Sequence, residues 1–305
     1  MTTASGQEKK GRSWLREEFG NPERRLAYYM VLPALVIILI VAFYPIAYSL
    51  WLSLHKATIN SAGNFVGLQN YTLMFSNTEF LDGLKNTAIF TVVSVALEFV
   101  LGLGIALAIN RAFRGRGLVR AAVLVPWAFP TVISAVMWRL MFQDQVGIIQ
   151  YVASALSLVS EPILSSPTLL LIGAIMVDTW KTTPFVALLL LAGLQTIPGE
   201  LYEAARVDGA NVIQRFLRIT MPLLKPAILV ALLFRTLDAW RVYDLFWAMS
   251  NRELESLSTF VYKGVRISQL NFPVGNAAAV FIFISAFLIA IFFIKVLGMQ
   301  TSTEE

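Results

Sequence analysis

Twenty-five consecutive residues, Met30–Leu54, carry no charge. An α-helix crosses the hydrocarbon core of a bilayer in about 20 mainly apolar residues, so this stretch is long enough to span. Five more stretches approach the same pattern. Thr87–Asn110 is interrupted only by Glu98, and Leu118–Phe142 has Arg120 at its start and Arg139 near its end. Thr168–Leu194 contains Asp178 and Lys181, and Pro273–Leu297 is charged only at Lys295. Leu223–Met249 is the least apolar, with Lys225, Arg235, Asp238, Arg241 and Asp244. Over all 305 residues 57% are hydrophobic and 14% charged. Soluble domains carry about 45–50% apolar and about 25% charged residues, so this chain has too few charges to coat a water-facing surface. That argues against a soluble two-domain enzyme, and against disorder. No alternation over about ten-residue stretches marks a β-barrel. The expected class is an all-α membrane protein with six transmembrane helices.

Lys and Arg concentrate in cytoplasmic loops and set orientation. Six precede the first span, and Arg111, Arg114, Arg116 and Arg120 join the second to the third. Arg206, Arg215, Arg218 and Lys225 join the fourth to the fifth, and Lys295 closes the sixth. The opposite side has only Lys56, Lys85, Arg252, Lys263 and Arg266. Both termini are therefore expected in the cytoplasm. Residues 1–29 read as a cytoplasmic tail, 30–298 as the membrane domain with a long cytoplasmic loop at 195–222, and 299–305 as a second tail. The first segment does not read as a signal peptide, whose apolar core is about 7–15 residues. Trp14 among clustered basic residues suits either a short surface helix or a loose tail. On the outer side, 147–159 suits a short interfacial helix.

A charge at mid-membrane costs roughly 2.5–3.5 kcal/mol on insertion scales, so such residues face a cavity or each other. Asp178 and Lys181 share a helix face and are expected to pair. Arg235, Asp238, Arg241 and Asp244 repeat every third residue with alternating sign, a stripe winding slowly about one helix. Trp180, Trp240, Tyr243 and Trp247 lie among them. Aromatic rings beside carboxylates and Arg suit a sugar, whose apolar faces stack and whose hydroxyls form hydrogen bonds. The candidate pathway is Asp178, Trp180, Lys181, Asp238, Trp240, Arg241, Tyr243 and Asp244. The competing account is that these charges only tie helices together. Glu98 reads as a packing or hydrogen-bonding acid and stays outside the set, and Arg139 snorkels outward. Pro126, Pro130 and Pro184 are expected to kink their helices.

There is no Cys and one His, His55, which excludes disulfides, thiol catalysis and a His-rich metal site. No catalytic or metal-binding set is expected. No phosphate-binding loop is present, so a transporter driven by ATP needs its ATPase on a separate polypeptide. An ion-coupled secondary carrier, with Asp178 and Asp238 as ion sites, needs none and is the alternative. An enzyme acting on lipids within the membrane would need more than His55.

Between Gln195 and Pro222, apolar residues at three- and four-residue spacings predict two short amphipathic helices broken at Gly209. The loop reads Glu203-Ala204-Ala205, Asp208-Gly209-Ala210, Phe216, Ile219, Pro222 and Pro226. This resembles the E-A-A loop of binding-protein-dependent ABC importer permeases. Phe65-Val66-Gly67-Leu68, Asn70-Tyr71, Asn86-Thr87, Trp180-Lys181, Pro184-Phe185 and Phe234-Arg235-Thr236-Leu237-Asp238 resemble the carbohydrate branch, of maltose, glycerol-phosphate and trehalose type. The trehalose-uptake permeases are the most similar within it. The likeness covers roughly Met30 to Leu297. Two outer positions depart from the family pattern, Ala248-Met249-Ser250-Asn251 and Gly147-Ile148-Ile149-Gln150.

The resemblance implies the type I ABC importer permease fold in a prokaryotic cytoplasmic membrane. Its implied activity is import of a sugar, such as a disaccharide like trehalose. It implies a second related permease, two ATPase subunits that hold ATP and Mg, and an extracellular sugar-binding protein. This chain itself would bind no cofactor or nucleic acid, would not be an enzyme, and would meet only sugar, lipid and these partners. Glu203, Ala204, Ala205, Asp208, Gly209, Ala210 and Phe216 would couple to the ATPase. Gly209 permits the tight turn, and the alanines allow close approach. Glu203 can accept a charge-assisted bond from an Arg of the ATPase. Asp208 is expected to cap the second short helix.

Overall fold

The computed structural model describes residues 22–58, 60–61, 63–111, 113–250, 253–267 and 272–298. Most of the expected N-terminal tail and all of the C-terminal one lie outside the described residues. The chain divides into two compact units, Met1–Leu52 and Ser53–Glu305.

The first unit holds α1 (Pro22–Ile38), a π turn (Leu39–Phe43) and most of α2 (Tyr44–Ser53). Together Leu26–Ser53 form an apolar helix of 28 residues, long enough to span. The π turn comes just before Pro45, which has no N–H to offer the Val41 carbonyl.

The described residues of the second unit form helices joined by loops. Among the described residues there are no strands, only two isolated bridges, His55 with Phe65 and Thr58 with Ser61. After α3 (Gln69–Phe75) comes α4 (Thr78–Asn110), 33 residues and about 50 Å long at 1.5 Å per residue. Asn77 caps it by accepting the Phe80 N–H at 3.3 Å. Next come α5 (Arg116–Ala128), α6 (Thr131–Phe142), α7 (Ile148–Ala155) and α8 (Pro167–Gln195). The loop hairpin is α9 (Gly199–Val207) and α10 (Val212–Arg215), and a π turn at Phe216–Thr220 leads into α11 (Met221–Trp240). Then follow α12 (Asp244–Met249), α13 (Leu257–Tyr262) and α14 (Phe272–Gly298).

Among the described residues five helices are long and apolar enough to span, and α5 with α6 makes a sixth if that bent pair counts as one. The pair turns by 85°. Pro130 forces Phe129 into extended backbone, φ −74° and ψ 137°, and supplies no donor, so one expected span becomes two short helices. Pro184 has no comparable effect, and α8 runs unbroken through it.

The fifth span also differs from expectation. It begins earlier, at Val212, and stops at Trp240 instead of Met249. No Gly or Pro marks the stop. The end is set by packing: Leu245, Phe246 and Met249 of α12 are buried, and Phe246 meets Phe90 edge to face at 5.0 Å. Ser256 donates to the Val242 carbonyl at 2.8 Å, satisfying an acceptor that a continuing helix would have used.

Along most of their lengths α4 and α8 pack together, and α11 lies against both. At Gly102 an added Cβ would come 2.9 Å from Val186 Cγ1, and at Gly193 it would overlap Ala227. These glycines let three helices approach closely, as small residues do in membranes. Ala106, Ile109, Leu190, Leu194, Leu224 and Ile228 fill the seam toward the hairpin end.

Candidate functional site

Within the bundle one guanidinium holds carboxylates from three helices. Arg235 of α11 grips Glu98 of α4 side-on, Nε to Oε2 at 2.5 Å and Nη2 to Oε1 at 2.9 Å. The same Nη2 reaches Asp178 Oδ2 of α8 at 2.8 Å, and Nη1 reaches Asp238 Oδ2 at 2.6 Å. Thr182 Oγ1 lies 2.6 Å from both Glu98 Oε1 and the Asp178 carbonyl. Exposure rises outward through this cluster. The Glu98 and Arg235 side chains are 0% and 3% exposed, Asp178 12% and Asp238 70%. An isolated carboxylate is too costly to bury in a membrane, and the planar five-donor guanidinium is the side chain best shaped to hold several.

Asp178 and Asp238 open onto a cavity of about 160 Å³. Lys181, Thr182, Arg241, Tyr243, Asp244 and Thr131 also line it. Tyr243 continues into an aromatic cluster, stacked on Trp247 at 5.7 Å and tilted against Tyr262 at 5.2 Å. Six of the eight expected pathway residues thus share one cavity.

Trp180 and Trp240 do not reach it. Trp180 meets Trp138 at 5.5 Å on the wall of a separate apolar groove beside the α5–α6 bend. Trp240 donates its indole N–H to Ser285 of α14 at 2.8 Å. The expected Asp178–Lys181 pair is not formed: Asp178 takes Arg235, and among the described residues Lys181 makes no ion pair. The expected four-charge stripe is interrupted, because Arg241 ends α11 and Asp244 begins α12.

Glu98 and Arg235, both left out of the candidate set, are the centre of the cluster. One signal in the sequence pointed to Glu98: an acid in an otherwise uncharged span needs a cation from another span. Nothing in the sequence chose among Lys181, Arg235 and Arg241 for that role.

Beyond the other end of α11, whose first residue Met221 is about 21 Å along the helix from Arg235 at 1.5 Å per residue, stands the hairpin. Its turn closes through two bonds, Ala210 N–H to Ala205 O at 2.8 Å and Gly209 N–H to Arg206 O at 3.1 Å. Gly209 sits at φ +80°, the left-handed end of α9 that glycine alone adopts freely. Asp208 ends α9, and it is Asn211 that caps α10, accepting the Gln214 N–H at 2.8 Å while Gln214 Oε1 accepts the Asn211 N–H at 2.9 Å. The expected Asp208 cap is therefore corrected. A distance of three residues from cap to Gln is the capping-box spacing, which Asn211 satisfies and Asp208 does not.

Glu203, Ala204, Asp208 and Gly209 are exposed, and Ala205, Ala210 and Phe216 half-buried. Glu203 and Phe216 line a hollow of about 750 Å³ between the hairpin and the ends of α4 and α8. Ala205, Asp208, Gly209 and Ala210 line a second, of about 410 Å³, on the other face.

Residues 100–299, which include this hairpin and most of the cavity, match the family described as binding-protein-dependent transport system inner membrane component. The chain belongs to this family. Over 279 residues the permease is 40% identical to the trehalose/maltose transport system permease protein MalF of Thermococcus litoralis, covering 90% of this chain and 94% of that one. It is 41% identical over 282 residues to the trehalose transport system permease protein SugA of Mycobacterium tuberculosis, covering 90% of each. A crystal structure of a bacterial ABC transporter that imports alginate superposes with a TM-score of 0.78 at 23% identity, over 95% of this chain and all of that one. The fold is that of type I ABC importer permeases, and the permease is a multi-pass protein of the prokaryotic cytoplasmic membrane.

Proposed function

We propose that this permease forms one half of a sugar pathway in a binding-protein-dependent importer, with trehalose or a similar disaccharide as cargo. The cavity carries the reading. It offers carboxylates, Lys181 and Arg241 as donors, and the Tyr243 ring, a mixture suited to a neutral polyhydroxylated ring. Its volume of about 160 Å³ is below the ~300–1,000 Å³ of complete small-molecule sites. A second permease supplies the rest. The trehalose permeases among the relatives support the choice of sugar.

Hydrolysis of ATP belongs to separate subunits, two per complex, that hold ATP and Mg, and this chain binds neither and catalyses nothing. The exposed Glu203–Ala210 hairpin is the surface they grip on the cytoplasmic side, and a sugar-loaded binding protein docks on the opposite face. Asp178 and Asp238 each give an oxygen to Arg235, so both belong to one ion cluster.

The test is uptake of radiolabelled trehalose into proteoliposomes holding the complete complex and its binding protein. Uptake that needs ATP, stops with vanadate and ignores an uncoupler is expected. Uptake that persists without ATP and collapses with the uncoupler would overturn the reading.

A further inference from the structure

We infer that Arg235 is the positioning residue of the pathway: anchored on Glu98, it sets the carboxylates of Asp178 and Asp238 so that their second oxygens accept sugar hydroxyls in the cavity. This inference rests on the sugar reading above and adds to it two residues that line no part of the cavity.

The geometry divides the guanidinium into an anchor side and a presenting side. Glu98 takes both of its oxygens to Arg235, and Thr182 also reaches Oε1. Glu98 has no exposed surface and therefore nothing to offer a solute. Asp178 and Asp238 each contact Arg235 through Oδ2 alone. Among the described residues no donor meets either Oδ1, and both side chains line the cavity. A carboxylate has about four lone-pair sites, so each keeps acceptor capacity after binding Arg235.

The two acids come from different helices, α8 and α11, and nothing but Arg235 bridges them among the described residues. Their spacing is set by one rigid fork, whose plane is fixed by the side-on grip on Glu98. Lys181, on the same wall and in no ion pair among the described residues, adds a donor beside the two acceptors. A neutral polyol, with hydroxyls that both donate and accept, matches that set.

The discriminating variant is Arg235→Lys. It keeps the positive charge, so a role limited to neutralising the buried acids survives. A single ammonium on a flexible stem cannot hold three carboxylates in one fixed plane. The experiment uses the complete complex in proteoliposomes with radiolabelled trehalose, and assembly is followed by co-purification. We expect Arg235→Lys to assemble and its maximal uptake rate to fall at least tenfold. The concentration of sugar-loaded binding protein giving half-maximal uptake should stay at the wild-type value, because docking lies outside the cluster. Glu98→Gln, which leaves one acceptor for two guanidinium donors, should move the same two parameters in the same way.

A wild-type maximal rate in Arg235→Lys would overturn the positioning role. So would failure of both variants to assemble, which would make the cluster a tie between helices and nothing more. Absence of trehalose uptake in the wild-type complex would instead overturn trehalose as its cargo.

Discussion

At the scale of residues, the hardest constraint on this permease is Glu98, a fully buried carboxylate whose ionic partner lies 137 positions away in sequence. Removing one member of a buried, hydrogen-bonded pair leaves the other uncompensated and costs roughly 3–5 kcal/mol. In Glu98→Ala, Arg235 keeps Asp178 and Asp238, so a loss near the lower figure, about 3 kcal/mol, is expected. A lowered melting temperature of the purified protein in detergent checks it, and an unchanged one would show that the pair contributes nothing net to stability. Asp178 and Asp238 stood out in the sequence because charges inside apolar spans do, and both meet Arg235 in the structure. Their partner was not legible, because periodicity along one helix says nothing about which residue of another helix faces it. Trp180 shows the same limit from the other side. It lies two residues from Asp178, yet that offset turns it about 200° around the helix and into an apolar groove.

Elements in this chain are positioned by close approach and by single special backbones. The seam between α4 and α8 depends on Gly102, where a side chain would press on Val186 and the Ala187 backbone, whereas nothing lies within 4 Å of a Cβ at Gly104. Gly102→Val should therefore destabilise the bundle by about 1–3 kcal/mol through overpacking, while Gly104→Val is tolerated. Parallel melts of the two variants separate packing from any general effect of losing glycine. The hairpin tip tests conformation instead of space. Gly209 at φ +80° also has nothing within 4 Å, so Gly209→Ala suffers only the left-handed penalty of about 1–2 kcal/mol. That should speed amide exchange in 203–210 about tenfold and leave exchange in α4 and α8 unchanged; equal acceleration everywhere would contradict it. The hairpin's turn was readable in the sequence because a glycine break is a local device, but the cap expected of Asp208 is held by Asn211, three residues before Gln214. The stop of α11 at Trp240 was not readable, because no breaker stands there and burial of Phe246 against Phe90, 156 residues earlier, decides it.

For the whole molecule, the number of spans follows from hydropathy, but their direction rests on an excess of Lys and Arg in alternate loops. The proposed mechanism depends on that direction. The hairpin must stand in the cytoplasm, where ATP is, and the α7 region must stand outside, where a binding protein meets it. The chain has no cysteine, so single introduced thiols report without background. Val207→Cys places one on the hairpin at a side chain 88% exposed, and Ser160→Cys places one in the exposed segment after α7. In intact cells stripped of any outer envelope, a membrane-impermeant maleimide should label Ser160→Cys at once, and Val207→Cys only after permeabilisation. Bound ATPase subunits would slow labelling at 207 further, and their removal should restore it. The reverse pattern would place the hairpin outside, and no ATPase of the cytoplasm could then drive α11. Arg235 would still tie α4, α8 and α11 together, but the helix it anchors would have no lever at its other end.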